Sequence, residues 1–439
     1  MPLSLVEFLE QGAVSSREIQ AATGLSQAAV SRQLRKMERS VVTIRSGRTP
    51  KYVMTRTAFG GSDRLPLAMV DPHGNTVIVA HIRPLVTGGF YVEPSAGASQ
   101  LLLGLSRDGM YDDLPYYLQD IGPQGFLGRQ IAKEMHAQFQ EFPSDPKWWT
   151  TDHVGRYLVS NGEDLPGNFK FGEQALLRVR RKPEAADDFE YPRIADKVME
   201  GEVPESSAGG EQPKFTTFSK KSRSHVIVKF SSPDDNSISR RWRDVLITEY
   251  HAVEALHRNN FPAAETRLFE VDNRFFLESQ RFDRSGEYGR MSMISLASID
   301  AEFVGQGSSW PLVLNKLMDI GLVAKEHVFD AEFIWCFGKL INNTDMHLGN
   351  LSFSIDGDVF RLLPVYDMCS MGFAPKSGGE LPPYAFIPKH PQRINLSDEL
   401  YKMVVDTAID FWNRVASDDR ISNELKDYLA KGNPVELMR

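Results

Sequence analysis

The residues best suited to chemistry lie in one polar segment, Asn342–Asn350, which reads Asn-Asn-Thr-Asp-Met-His-Leu-Gly-Asn. Within it, Asp345 and Asn350 are separated by five positions. That spacing lets one loop aim a carboxylate at a substrate hydroxyl and an amide oxygen at a magnesium ion. We interpret His347 as a donor that braces the loop, with a buried core histidine as the alternative. The segment therefore predicts phosphoryl transfer, with Asp345 as the catalytic residue.

A second metal ligand is expected shortly after this loop. Two short apolar runs flank Asp356-Gly357, a dipeptide typical of a tight β-hairpin turn. The hairpin would deliver Asp367 to the same site. Because Mg²⁺ takes oxygen ligands and keeps several waters, one carboxylate, one amide and the phosphates of a nucleotide are sufficient. We therefore expect Asn350 and Asp367 to hold Mg²⁺.

Two segments upstream could bind the phosphates of ATP. Ser206–Lys214 contains Gly209 and Gly210, whose backbone amides could approach phosphate oxygens closely, although for this segment alone a plain turn is the better interpretation. The apolar run His225–Phe230 predicts a strand that carries Lys229. A buried lysine needs an anionic partner, and an ATP phosphate or Glu249 on the next helix would supply it. The alternative is an edge-strand lysine that faces solvent.

The run Phe275–Arg284 passes from a strand into a polar turn, which is where an adenine-binding hinge would fall. Main-chain groups of Gln280 and Phe282 could bond the purine edge. Asp283 would then be placed for the ribose hydroxyls. The alternative is an ordinary surface turn.

In this order, the segments resemble the HipA-like kinases, the serine/threonine kinases that act as toxins in bacterial toxin–antitoxin systems. The resemblance covers about residues 65–430, and its specific part is Asn343–Asn350. It implies an α+β, two-lobed protein-kinase-like fold and the cofactors ATP and Mg²⁺. It also implies ATP-binding roles that match the segments above, for Ser207, Gly209, Gly210, Lys229, Gln280, Phe282, Asp283 and His347.

The resemblance further implies what the enzyme acts on. Ser207 matches the serine that members of the family autophosphorylate. The expected substrate is a protein of translation, for example an aminoacyl-tRNA synthetase, and an antitoxin is a possible partner. Family members usually receive their DNA-binding domain from that separate antitoxin.

This chain carries a basic unit of its own at the N-terminus. The net charge is −8, yet residues 1–60 contain nine Lys or Arg and only four Glu. Three short helical patterns, the last running from Ser26 to about Arg39, and a basic hairpin predict a winged helix-turn-helix domain. The expected DNA contacts are Gln27, Ser31, Arg32, Arg35, Arg45, Arg48 and Lys51. The alternative is a basic fold used for protein contacts.

The expected division of the chain has four parts. Residues 1–60 form the DNA-binding domain, 61–185 a HipA-like N-terminal subdomain, 186–290 the ATP-binding lobe and 291–439 a mainly helical catalytic lobe. With two cysteines and no apolar run long enough to span a membrane, the expected location is the cytoplasm.

Two other functions remain open. The chain could be a DNA-binding regulator whose kinase-like body senses a nucleotide or is inactive, although Lys229, Asp345, Asn350 and Asp367 are all present. A nuclease is less favoured, because the remainder of the chain holds 41 basic and 54 acidic residues and would repel nucleic acid.

Overall fold

The computed structural model describes residues 3–45, 49–162, 164–200, 212–376 and 378–438. It has the expected mixed α and β architecture, with a sheet-rich lobe and a helical lobe that meet at a cleft. Within the described ranges, no helix combines the length and apolar character needed to cross a bilayer.

The N-terminal unit has the element order of a winged helix-turn-helix. Three helices each begin after a serine whose hydroxyl accepts a backbone N–H of the first turn, namely Ser4, Ser15 and Ser26. The third helix ends at Lys36, three residues before the predicted end. The elements are α1 (Leu5–Leu9), β1 (Val14–Ser15), α2 (Ser16–Thr23), α3 (Gln27–Lys36), β2 (Val41–Ile44) and β3 (Lys51–Met54), and the strands form an antiparallel sheet in the order β1-β3-β2.

The middle unit is built on an antiparallel five-stranded sheet in the order β7-β6-β5-β4-β8. A turn around Asp71–Asn75 joins its first two strands as a hairpin. The elements are β4 (Leu65–Val70), β5 (Thr76–Pro84), β6 (Phe90–Pro94), β7 (Met110–Tyr111), α4 (Tyr116–Asp120), α5 (Gly125–Gln138), α6 (Thr151–Asn161), β8 (Phe169–Phe171) and α7 (Glu173–Leu177). Its apolar residues belong to a large core that continues into the helical lobe, so the two pack as one body.

The sheet-rich lobe contains five strands in the order β12-β13-β11-β10-β9 and the long helix α9. On one face of the sheet, its residues Phe215 and Phe276 pack against Tyr191, and the other face borders the cleft. The elements are β9 (Ala185–Ala186), α8 (Tyr191–Met199), β10 (Lys214–Ser219), β11 (Ser224–Phe230), α9 (Ser237–Arg258), β12 (Thr266–Val271), β13 (Arg274–Gln280), β14 (Arg284–Ser285) and β15 (Gly289–Arg290).

The second lobe is mainly helical, as expected. Its small sheet, in the order β16-β17-β18, includes the predicted hairpin with its turn at Asp356-Gly357, where Gly357 has a φ of 60°. The elements are β16 (Ile294–Ser295), α10 (Leu296–Phe303), α11 (Trp310–Asp319), α12 (Lys325–Leu340), β17 (Ser352–Asp356), β18 (Val359–Leu362), α13 (Asp398–Ala416) and α14 (Asn423–Leu429).

The N-terminal unit is docked firmly on the middle unit. The chain after β3 pairs with the end of β5 through a bridge between Thr55 and Leu85, and Leu85 packs with residues of β2 and β3. Arg83, only 4% exposed, donates to the carbonyl of Arg39 at 2.6 Å and to that of Asp63 at 2.8 Å. A buried guanidinium therefore fixes the turn after α3 to the body of the protein.

Arg83→Met should destabilise this docking, because it removes both hydrogen bonds that the buried guanidinium donates to the carbonyls of Arg39 and Asp63. We expect a loss of about 3 kcal/mol in the free energy of unfolding. We also expect faster release of residues 1–60 by limited proteolysis. Arg83 also lies 3.8 Å from the carboxylate of Glu93, and Arg64 pairs with that carboxylate from an exposed position. Arg64→Met is therefore the matched control, with an expected loss of unfolding free energy below about 1 kcal/mol. Equal losses in both variants, measured by denaturant unfolding, would contradict the role of Arg83.

Candidate nucleotide and catalytic site

Lys229 lies at the centre of the cleft and is held by two carboxylates. It is the second-to-last residue of β11 and faces away from the apolar side of the sheet. Its Nζ donates to both oxygens of Glu249, at 2.6 and 2.7 Å, and to Oδ1 of Asp367. Lys229 is 6% exposed and Glu249 is 2% exposed, so this ion pair is almost completely desolvated. The suggested pairing of Lys229 with Glu249 is thus present.

The charges in this cluster stabilise one another. Burial alone would raise the pKa of Asp367, but the charges of Lys229 and Lys214 outweigh it and bring the pKa down to about 2. Burial opposes the charge on Lys229 as well, yet Asp367 and Glu249 raise its pKa above the ordinary value. Asp367 is therefore ionised, and it has a left-handed backbone with φ of 53°. Such strain in a residue other than glycine is typical of functional sites.

The loop that contains Asp345 and Asn350 joins α12 to β17 and is held by its own side chains. Asn343, which is buried, accepts the Asp345 N–H through Oδ1 at 3.0 Å. The same side chain donates to the Asp367 carbonyl at 3.4 Å, so it links the loop to the segment of Asp367. Asn350 Nδ2 donates to the Asp345 carbonyl at 2.7 Å. The spacing of five positions therefore folds the ends of the loop against each other.

Asp345 itself opens toward the cleft, with 52% of its side chain exposed. Partial burial raises its pKa, and the negative charge of Asp367 adds to this, while His347 opposes it. His347 Nε2 lies 3.8 Å from Asp345 Oδ1, and its Nδ1 accepts the Gly349 N–H at 3.0 Å. The histidine is exposed and caps a short 3₁₀ turn, Leu348–Asn350, so the buried-core alternative is wrong. It braces the loop as expected, but in this contact it is the acceptor and not the expected donor.

Lys214 is a residue of the site that the sequence interpretation left out. It is the cross-strand partner of Lys229 in the β10–β11 pair, so both side chains lie on the cleft face of the sheet. Its positive charge helps to lower the pKa of Asp367 and opposes the rise in the pKa of Asp345. The signal was available, because Lys214 ends the predicted phosphate loop. The strand register that places it beside Lys229 could not be derived from that segment alone.

The segment expected to be the adenine-binding hinge follows the end of β13. Gln280 is exposed at the last position of the strand, and the Arg281 N–H donates to the His225 carbonyl at 2.9 Å. The ring of Phe282 lies 5.7 Å from that of Tyr366, the residue before Asp367. Arg281 lines the same pocket as Tyr366, so this turn lies at the edge of the cleft.

The expected ribose contact of Asp283 is not supported by the geometry. Asp283 is 3% exposed, and its carboxylate accepts from Arg281 at 2.9 Å, from the Gly167 N–H at 2.9 Å and from Arg284. These donors occupy both oxygens and hold the side chain away from the cleft. The polar turn was interpreted as ligand-binding, whereas Asp283 is part of a buried charge cluster with the middle unit.

Some expected site residues lie outside the described ranges, namely Ser207, Gly209 and Gly210 of the phosphate loop and Arg48 of the N-terminal hairpin. The remaining residues expected at DNA are all exposed. They are Gln27, Ser31, Arg32 and Arg35 on α3 and Arg45 and Lys51 on or beside the hairpin strands. On α3, Val30 and Leu34 are buried in the core of the unit, whereas these four residues face solvent.

The donor chemistry of the site fits Mg²⁺ and a polyphosphate. Asp367 and Asn350 offer oxygen ligands, and Lys229 and Lys214 offer two cations on the adjacent sheet. In the part of the chain that the structure describes, no group of three or more His, Cys, Asp or Glu could hold a metal by itself. A magnesium ion here would depend on the phosphates for further ligands, as is usual for this ion.

Comparisons with known proteins show the family of the chain. The family model described as "HipA-like C-terminal domain" matches residues 206–425, and that described as "YjjJ-like toxin, middle domain" matches residues 61–180. The two models together span the cleft, the hinge and the middle unit. The chain therefore belongs to the HipA-like toxin family.

Among its relatives is the toxin YjjJ of Escherichia coli strain K12. The two are 35% identical over 443 residues, which cover 99% of this chain and 97% of that protein. A solved structure of HipA from Shewanella oneidensis MR-1, in a complex with HipB and operator DNA, covers 84% of this chain and 95% of its own, with a TM-score of 0.57 and 15% identity. This likeness confirms the kinase-like, HipA-like fold.

The buried ion pair predicts that removing Lys229 alone destabilises the protein more than removing Lys229 and Glu249 together. Lys229→Met leaves two carboxylates close together without their shared cation, and we expect it to cost about 3 kcal/mol of unfolding free energy. Adding Glu249→Leu should restore part of this loss, because it removes the buried, unpaired anion. Urea unfolding of the nucleotide-free protein measures both values. A double variant no more stable than Lys229→Met alone would show that the pair is not coupled.

Proposed function

We propose that this protein is an ATP- and Mg²⁺-dependent protein serine/threonine kinase. The observation that carries the proposal is the cluster of Lys229, Glu249 and Asp367, which faces the loop of Asp345 and Asn350 across one cleft. It joins the parts that phosphoryl transfer requires, which are cations for the phosphates, oxygen ligands for Mg²⁺ and a carboxylate near the acceptor.

Each residue has a defined task in this proposal. Lys229, fixed by Glu249, binds the phosphates of ATP, and Lys214 adds a second cation. Asp345 orients the acceptor hydroxyl and accepts its proton, which its exposure to the cleft permits. Asn350 and Asp367 hold Mg²⁺, which would neutralise charge on the phosphates.

The main chain of Gln280 and Phe282 binds adenine. The backbone amides of Gly209 and Gly210 are proposed to bind the phosphates, and His347 keeps the catalytic loop in place.

The acceptor is proposed to be a serine or threonine of a protein involved in translation, for example an aminoacyl-tRNA synthetase, and Ser207 is proposed as an autophosphorylation site. Membership in a toxin family supports an activity that slows the cell. With both cysteines free and buried, a reducing cytoplasm is the proposed location.

DNA binding through residues 1–60 is the second part of the proposal. It is supported by the exposed basic side chains on and around α3 and by the element order of the unit. The HipA of Shewanella oneidensis was solved with HipB and operator DNA, which makes an antitoxin a candidate partner here as well. The regulator with an inactive body is less favoured, because Lys229 is already paired with Glu249, as phosphoryl transfer requires.

Asp345→Asn should reduce phosphate transfer from labelled ATP to protein by a factor of about 10²–10⁴, because it removes the proton acceptor. The affinity for ADP should change little. The matched control is Asp356→Asn, an exposed aspartate in the turn of the β17–β18 hairpin. Wild-type rates in Asp345→Asn, with fold verified by circular dichroism, would exclude the assigned catalytic role.

Arg32→Ala and Arg35→Ala should each weaken binding of DNA from the upstream region of the protein's own gene. If the arginine contacts a phosphate, its loss should reduce the slope of the logarithm of the DNA-binding constant against the logarithm of salt concentration by about one. If it contacts a base, its loss should cost about 1–3 kcal/mol of binding free energy. Arg361→Ala, which removes an exposed arginine from the catalytic lobe, is the control. If all three variants bind as the wild type does in fluorescence anisotropy, α3 is not the reading helix.

A further inference from the structure

The nucleotide cleft has a wall that the two lobes do not supply. A pocket of about 660 Å³ runs from the cleft toward the middle unit. Thr216 and Ile227 line it from the sheet-rich lobe, and Tyr366 lines it from the catalytic lobe. The rest of the lining includes the loop Asp120–Gln124 and part of α5, both in the middle unit. The middle unit therefore closes the hinge side of the cleft.

Asp164 is the residue of the middle unit that contacts both the hinge and the sheet. Its Oδ1 accepts from Arg281 at 2.7 Å and from Arg284 at 3.0 Å, while its Oδ2 accepts from the Thr216 hydroxyl at 3.0 Å. The two arginine side chains are 6% and 3% exposed, whereas that of Asp164 is 50% exposed and borders the pocket. One carboxylate thus connects three segments that are distant in sequence.

These contacts fix the main chain on both sides of Phe282. Arg281, the preceding residue, is anchored by Asp164 and Asp283 together. Asp283, the following residue, accepts from the Gly167 N–H, and Arg284 donates to the Leu165 carbonyl at 2.6 Å. Among the described contacts, the Phe282 amide itself forms none. A main-chain group between two anchored residues is pre-organised to bind a ligand.

We propose that Asp164 is a positioning residue for the nucleotide base, through which the middle unit holds the hinge in its binding geometry. The inference rests on the proposed function, since it concerns the same ATP site. It assigns to the middle unit a role in recognition of the base and none in transfer of the phosphate. Removing the negative charge of Asp164 would leave Arg281 and Arg284 with Asp283 as their remaining shared anion, and the hinge would relax.

The test compares two probes on the full-length protein, ADP with Mg²⁺ and inorganic tripolyphosphate, which has no base. Asp164→Asn should weaken ADP binding about tenfold, as expected for the loss of a charged hydrogen bond, and raise the KM for ATP by a similar factor. Tripolyphosphate affinity and kcat should change by less than about twofold. Thr216→Val, which removes only the contact to β10, should show a smaller loss for ADP. Glu141→Gln is the matched control, because this carboxylate of the same unit pairs with Arg156 at the surface.

The outcomes separate this inference from the proposed function. If the wild type binds neither probe, the proposed ATP site fails and this inference fails with it. If the wild type binds ADP and folded Asp164→Asn binds it equally well, only the role of Asp164 is wrong. Parallel losses for ADP and tripolyphosphate would show a general structural defect and would also overturn the positioning role. Should Asp164→Asn fail to fold, Thr216→Val provides the test. A selective loss of ADP affinity relative to tripolyphosphate affinity in Thr216→Val would support the positioning role, and an unchanged ratio of the two affinities would overturn it.

Discussion

The burial of one lysine is the constraint on which the rest of the site depends. An ammonium group as enclosed as that of Lys229 is tolerated only with anionic partners in good geometry. The position of Glu249 on α9 and the position of Asp367 after the β17–β18 hairpin are therefore fixed by the need to contact Lys229 Nζ. The same contacts bring the two lobes together at the cleft. The stability of the folded chain and the assembly of its phosphate-binding site are thus achieved by the same interaction.

A second group of buried charges has the same effect at the other end of the cleft. Arg281, Asp283 and Arg284 are bound to a segment of the middle unit, so the hinge is supported from outside the two lobes. Arg83 connects the middle unit to the N-terminal unit in a similar manner. Rigid buried contacts therefore link the exposed basic helix α3 to the body that contains the cleft. A chain built in this way presents its proposed DNA-binding surface in one fixed orientation.

Much of the site could be predicted because its residues lie in short segments with a local pattern. The spacing of Asp345 and Asn350, the strand around Lys229 and the turn before Asp367 are all readable without knowledge of distant contacts. Asp283 was interpreted wrongly because its burial depends on Gly167, which is more than 100 residues away in sequence. For the same reason Lys214 was omitted, since its place beside Lys229 follows from strand register. Asp164 carries no local signal, because its role exists only where three segments meet.

The central claim is that the Lys229 cluster and the Asp345 loop form one ATP site with Mg²⁺. A crystal structure of the full chain with a non-hydrolysable ATP analogue and Mg²⁺ tests it most directly. We predict phosphate oxygens on Lys229, the metal between Asn350 and Asp367, and the purine against the main chain of Gln280–Phe282. A nucleotide bound outside this cleft, or a metal held without Asp367, would contradict the account.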